Sequence, residues 1–246
     1  MPPVKKAPAD HSLLDQQRVL APQEKAPRGA KRKRDTRIRL LGAALHLMAY
    51  RGVAGVAINE ITEQADVGFG SFYNHFESKE AIHATLIEEV IGHFAVALDK
   101  LGEQLTDPAE KIAASARYTM LRGHDDPTWG RFVFQTSFSR DSMSNGLGRY
   151  LLQDINNGMS AGRFSVGDLP SVYIAVGSTI LGGLAALSDQ ADLNNEPNIF
   201  GDAQTLSKRI AAILLSVLGL PKDEAQEIAG RPLPQIELPA NPFAQA

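Results

Sequence analysis

The stretch Ile58-Asn59-Glu60-Ile61-Thr62-Glu63-Gln64-Ala65, then Asp66-Val67-Gly68, then Phe69-Gly70-Ser71-Phe72-Tyr73-Asn74-His75-Phe76, reads as two short helices about a three-residue corner. Ile58, Ile61 and Ala65 recur at three and four residues and give the first helix one inward stripe. Val67 plugs the corner, and Phe72 and Phe76, four apart, pin the second helix against it. Gly68 and Gly70 leave the leading edge of that helix nearly bare, so its backbone can approach a groove closely. This is a helix-turn-helix pattern, flanked by helices expected from about Asp35 to Arg51 and from Ser78 onward.

The charge distribution points to a polyanion. Residues 1–40 hold eleven Lys or Arg and four Asp or Glu, a net of +7, which leaves −10 on the remaining 206 and a formal total of −3. A basic end on an acidic body is an electrostatic footprint for nucleic acid or an anionic surface. The run Lys31-Arg32-Lys33-Arg34 stands immediately before the first helix, where an arm along phosphates or the minor groove is expected.

Outward from this segment the chain of 246 residues reads as all-α. Of fourteen prolines, five lie in residues 1–27 and five in 221–242, so both ends are expected to be mobile tails. Asp107-Pro108 and Asp126-Pro127 fit helix starts, with a capping Asp before proline at the first helical position, and Asp168 hints at a third. Without cysteine, disulfides, thiolate metal sites and cysteine nucleophiles are excluded. The six histidines show no metal-ligand spacing, and no phosphate-binding glycine loop follows a strand; we expect no metal, no cofactor and no catalysis. The richest apolar run, Val172 to Leu187, is expected to be too short for a bilayer and to form a buried helix. No secretory or transit pattern is expected in the first forty residues, and a cytoplasmic location fits.

At Phe72-Tyr73-Asn74-His75-Phe76-Glu77-Ser78-Lys79-Glu80 the sequence resembles the tetracycline-repressor (TetR) family of transcriptional regulators, and the likeness runs from about Thr36 to Leu86. The resemblance implies an N-terminal three-helix DNA-binding domain with a helix-turn-helix and a C-terminal helical ligand-binding and dimerisation domain. It implies a homodimer on a near-palindromic operator of double-stranded DNA, released by a small-molecule effector, and phosphate contacts from Tyr73 and Lys79. Lys79 follows the Ser78 cap, so its charge adds to the positive end of a helix. Phe69, Gly70, Ser71, Asn74 and His75 complete the candidate DNA-contacting set with Lys31 to Arg34. Ser71 and Asn74 fit groove readers and solvated positions equally, and His75 also fits a structural joint between helices. The chain departs from the family at Ala57, where a capping Thr or Ser is usual, at Asp66 in place of the turn glycine, and at Gly68-Phe69.

The expected boundaries are a disordered basic tail at 1–30, the helix-turn-helix domain at 31–80, an effector and dimerisation domain at 81–220, and a Pro-rich tail at 221–246. Aromatics are frequent in the larger domain, and Phe94, Tyr118, Trp129, Phe132, Phe138 and Tyr150 are candidate effector contacts, although the same spacing fits plain core. Arg117, His124, Gln135 or Asp154 are candidate polar partners. Gly177, Gly182, Ala186, Ile210, Leu214 and Val217 lie on two helices too apolar for one protomer to cover, so they are assigned to the dimer interface. The alternatives are a helical lipid- or ligand-binding protein or enzyme without specific DNA binding, and an architectural DNA-binding protein without an effector.

Overall fold

The computed structural model describes residues 28–137, 146–190 and 200–243, and among these every regular element is helical. Three helices build a head: α1 (Arg28–Arg51), α2 (Ile58–Gln64) and α3 (Phe69–Tyr73). A rod follows, in which α4 (Lys79–Leu86) runs through a π-helical stretch, Ile87–Gly92, into α5 (His93–Asp99) and a 3-10 turn, Lys100–Glu103. The body holds α6 (Pro108–Asp125), α7 (Pro127–Thr136), α8 (Gly146–Ser160), α9 (Leu169–Gln190), α10 (Ala203–Val217) and α11 (Lys222–Gly230).

The capping residues set these starts. The Asp107 carboxylate accepts from Ala109 N at 2.9 Å and that of Asp126 from Trp129 N at 3.0 Å, each before a proline that needs no donor partner. Asp168 accepts from Ser171 N at 2.9 Å, the third start. In the head, Ile61, Ala65, Phe72 and Phe76 are buried with Leu40, Leu45 and Met48 of α1, and Val67 packs against them. Asp66 carries the corner with φ 50°, a left-handed conformation that Asp tolerates.

Head and body are joined closely. Arg131 of α7 donates to the Tyr50 hydroxyl of α1 at 2.8 Å, with its guanidinium 4.6 Å from the ring centroid, and donates to Asp189 of α9 at 3.1 Å. Helices α6, α7 and α9 meet at Gly123, Gly130 and Ser188. A Cβ on Gly130 would lie 2.0 Å from Ser188 Oγ and 3.0 Å from the Gly123 Cα, so the backbones approach closely only because both positions lack side chains.

Three expectations are corrected here. The stretch Lys31 to Arg34 is not a loose arm before the first helix: α1 begins at Arg28, so these residues, and 28–30 of the expected tail, are helical. Residues 1–27 lie outside the described residues. The C-terminal stretch is no tail either. Residues 222–230 form α11, and Leu233, Ile236, Leu238 and the buried Phe243 pack against the head-and-rod core as a strap. Polar ties fix it: Arg117 Nη1 donates to the Arg231 carbonyl at 2.6 Å, Tyr118 Oη to that of Pro234, and Asn241 Nδ2 to Asp126 at 2.9 Å. Proline removes donors but not apolar area, so a Pro-rich segment can still pack in extended form. Finally, the Val172–Leu187 run belongs to a longer helix. Leu169–Asp189, with mean hydropathy 1.6, is long and apolar enough to cross a bilayer by length and composition, as is Lys79–Glu103 at 1.4. Each packs on the rest of the protein along one side, where Leu184 and Leu187 of α9 and Phe94 and Leu98 of α5 are buried, but only 28% of the α9 window and 39% of the rod window are buried, so α9 is not the buried helix expected.

Candidate nucleic-acid interface and effector cavity

The reading edge is built from α3 and the start of α1. Phe72 of α3 is buried, whereas Phe69 and Tyr73 are 54% and 53% exposed, their rings 5.6 Å apart edge to face. Two large exposed aromatics on a five-residue helix are costly in water unless something covers them. Gly70 lies between them, and a Cβ there would meet nothing within 4 Å, so no neighbour within the chain demands glycine. Asn74, His75 and Ser71 border a groove whose other wall is Gly29, Arg32, Lys33 and Thr36 of α1. These α1 positions recur at three and four residues, so one face of the extended helix looks onto α3. Thr36 carried no basic signal and was missed in the sequence. Burial and the nearby Lys33 and Arg37 charges push His75 below the usual histidine range, which keeps the imidazole neutral at pH 7.

The first turn of α2 compensates for its missing cap. Ala57 has no acceptor, but the Glu60 carboxylate accepts from Ala57 N at 2.8 Å and from Arg51 at 2.8 and 3.1 Å, which lowers its pKa. Lys79 is half-buried, and its Nζ donates to the Val56 carbonyl at 2.8 Å, beside the same turn. It therefore ties α4 to the corner before α2, with its charge kept at the edge of the head. Ser78 Oγ accepts from Ala81 N at 3.1 Å, as a cap.

The body encloses a cavity of about 350 Å³ between the rod, α6, α8 and α9. Leu98 and Asp99 come from α5, Ile112 and Thr119 from α6, Leu151 and Asp154 from α8, and Tyr173 and Leu181 from α9. Of the five aromatic candidates among the described residues only Tyr150 lines it. Phe94, Trp129 and Phe132 are sealed core: each is at most 1% exposed, Trp129 stacks edge-on to Phe94 at 4.8 Å, and its Nε1 donates to the Val90 carbonyl at 3.2 Å. Tyr118 points its hydroxyl at the strap, and Phe138 lies outside the described residues. Large aromatics seal an interior, and the space that remains is bounded by smaller aliphatics at helix crossings, which spacing alone does not mark. Among the polar candidates Asp154 lines the cavity, Arg117 serves the strap, and Gln135 borders Gly52.

Lys111 of α6 holds the acidic wall. Its Nζ lies 3.2 Å from Asp99 Oδ1 and 2.8 Å from Asp154 Oδ1. Burial works against the ammonium, but the two carboxylates outweigh it and raise its pKa; for Asp154 burial prevails over Lys111, and its pKa rises.

The proposed interface residues divide. Gly177 lines the cavity, Leu214 is wholly buried within the protomer, and Ile210 packs beside Gly183. Ala186 is half-buried, Gly182 faces open space, and Val217 is 37% exposed. Ile213, in the same apolar stripe of α10, is 53% exposed, and Ile174 of α9, which carried no signal in the sequence, is 63% exposed. Leu214 is internal because α10 is apolar on two sides, and sequence periodicity does not say which side meets α6.

The head and body match known proteins. Residues 40–86 match the bacterial regulatory proteins of the tetR family, and residues 107–231 match the tetracyclin repressor-like C-terminal domain. The chain belongs to the TetR family, a class of helix-turn-helix transcription regulators. RolR, solved in complex with resorcinol, is 34% identical over 85% of this chain and 100% of that one, with a TM-score of 0.58. The transcriptional repressor NemR of Escherichia coli is 38% identical over 71 residues, 29% of this chain and 34% of NemR. EthR of Mycobacterium tuberculosis is 31% identical over 91 residues, 35% of this chain and 42% of EthR. The chain thus aligns with less than half the length of these two regulators.

Proposed function

We propose that the protein is a ligand-responsive DNA-binding regulator, a repressor rather than an enzyme, acting in the cytoplasm as a homodimer on a near-palindromic operator. The observation that carries this reading is α3 itself, which leaves Phe69 and Tyr73 exposed about open Gly70 on one side and on another sets Ser71 and Asn74 along a groove walled by the basic side of α1. Tyr73 donates to a phosphate oxygen, Arg32 and Lys33 add charge along the backbone, and Ser71 and Asn74 meet base edges. Lys79 keeps the phosphate role that the family resemblance gives it only if its ammonium serves Val56 and DNA together.

The exposed face of Ile174, Gly182, Ile213 and Val217 supplies the subunit contact, which sets the spacing of two reading heads to one helical turn of DNA. The rod links the sites. From Lys79 to Asp99 it spans about 30 Å at 1.5 Å per residue, so a ligand held against Leu98 and Asp99 favours one rod position and hence one head spacing. RolR binds resorcinol, and a small molecule of that size fits this cavity. Selection of bound sequences from a random DNA pool, followed by a gel shift with the selected duplex, tests the reading. We expect a palindromic consensus bound by two protomers; affinity without sequence preference would refute the operator.

A further inference from the structure

The acidic wall of the cavity defines which ligands it accepts. Asp99 and Asp154 each spend one oxygen on Lys111, and among the described residues no donor reaches the other oxygen of either. Two carboxylates against one ammonium leave a net −1 on this wall, partly out of water, where charge is poorly screened. Two of the lining hydroxyls have spent their protons within the protein: Thr119 Oγ1 donates to the Ser115 carbonyl at 2.8 Å and Ser137 Oγ to that of Val133 at 2.7 Å, whereas Tyr150 and Tyr173 also line the cavity. Leu98, Ile112, Leu147, Leu151 and Leu181 supply apolar lining. At the two uncommitted carboxylate oxygens a ligand has to bring its own donors on an apolar body, and a carboxylate or phosphate placed there would meet like charge.

We propose that Asp99 and Asp154 anchor the effector and select a small, uncharged compound with two hydroxyl donors on an apolar ring, against anions of the same size. This rests on the reading of the cavity as the effector site and names its ligand class. Lys111 is a positioning residue: it holds the two carboxylates at one end of the cavity and lowers the cost of keeping both charged.

Three probes of one ring size test it by calorimetry on the full-length protein: resorcinol with two hydroxyls, phenol with one, and 3-hydroxybenzoate with a hydroxyl and a negative charge. We expect resorcinol to bind, phenol to bind at least about tenfold more weakly, as one lost charge-assisted hydrogen bond predicts, and 3-hydroxybenzoate to give no heat. Asp99→Ala, at a half-exposed position near the rod's end, should lower resorcinol affinity about tenfold or more and shrink its margin over phenol. Asp154→Asn, which keeps the volume, should act in the same direction. Equal affinity for 3-hydroxybenzoate and resorcinol, no binding by any probe, or an Asp99→Ala protein with unchanged affinity would overturn the anchor. Operator release is read separately: resorcinol that binds but leaves DNA bound refutes the regulatory reading and keeps the anchor. Release by 3-hydroxybenzoate does the reverse.

Discussion

Trp129 donates its indole N–H to the Val90 carbonyl at 3.2 Å, and Val90 lies in the π-helical stretch of the rod. A π-helical turn widens the helix and disturbs its carbonyl ladder, so a side-chain donor there holds the rod to α7 at its least regular point. Trp129→Ala should lose about 3–5 kcal/mol of stability, and Trp129→Phe, which keeps the contact with Phe94 but not the donor, about 1 kcal/mol. Urea unfolding followed by circular dichroism checks both; a nearly neutral Trp129→Ala would return this position to the cavity wall.

Tyr73 should separate binding from folding. Its ring is half-exposed and its hydroxyl has no partner among the described residues. Tyr73→Phe is expected to leave the melting temperature unchanged and to weaken operator binding by about 1 kcal/mol per lost hydrogen bond. Gel shifts with the selected duplex decide it, and a variant that binds DNA like the parent removes Tyr73 from the interface.

Lys79 should not separate them. Because Nζ is bonded to Val56, Lys79→Met is expected to cost about 1 kcal/mol in stability as well as DNA affinity. Paired measurements of unfolding midpoint and DNA affinity would show a loss in both.

His83 makes stability depend on pH. Burial pushes it below its ordinary value of 6.5, partly opposed by Glu80, and its Nε2 is buried without a partner. The folded protein therefore prefers the neutral imidazole more than the unfolded chain does. Its contribution is complete above about pH 6.5 and is lost as pH falls through the lowered folded value. His83→Leu should shrink the drop in urea midpoint between pH 7 and pH 5, while the similarly lowered His75 keeps its share; an unchanged drop would exclude His83 as a source.

The strap should contribute to stability. Truncation after Gly230 removes the buried Phe243 and the ties to Arg117, Tyr118 and Asp126. Burial of one large apolar side chain contributes about 1.5–3 kcal/mol, so the truncated protein should melt several degrees lower. An unchanged melting temperature would make the segment dispensable.

The head was legible because its determinants are local. Ile61, Ala65, Val67 and Phe72 lie within a dozen residues, and their periodicity alone closes the corner; even the left-handed Asp66 could be foreseen from its side chain. The cavity was not legible in that way. Trp129 and Phe132 carry the strongest apolar signal and are sealed inside, whereas the space forms between helices far apart in sequence, where Leu98, Ile112 and Leu151 look like any core aliphatics. Asp99 gave no signal at all, since a charge near a helix end is ordinary on a surface, and only the fold brings Lys111 beside it. The strap was hidden for the opposite reason: four prolines in sixteen residues suggested an unbound tail, while its spaced Leu233, Ile236 and Phe243 carried the packing.

Helical order at the start of α1 changes what four consecutive basic residues can do. Neighbours on a helix point about 100° apart, so Lys31 to Arg34 fan around the whole circumference, and only Arg32 and Lys33 border the groove with α3. A pliant arm could turn all four charges toward one strand, but on docking it would give up about 1–2 kcal/mol of backbone freedom per residue. A helical one has surrendered that freedom before any DNA arrives. The extension behaves as a stiff boom of about 10 Å, trading the number of phosphates it can reach for a fixed bearing on those it does.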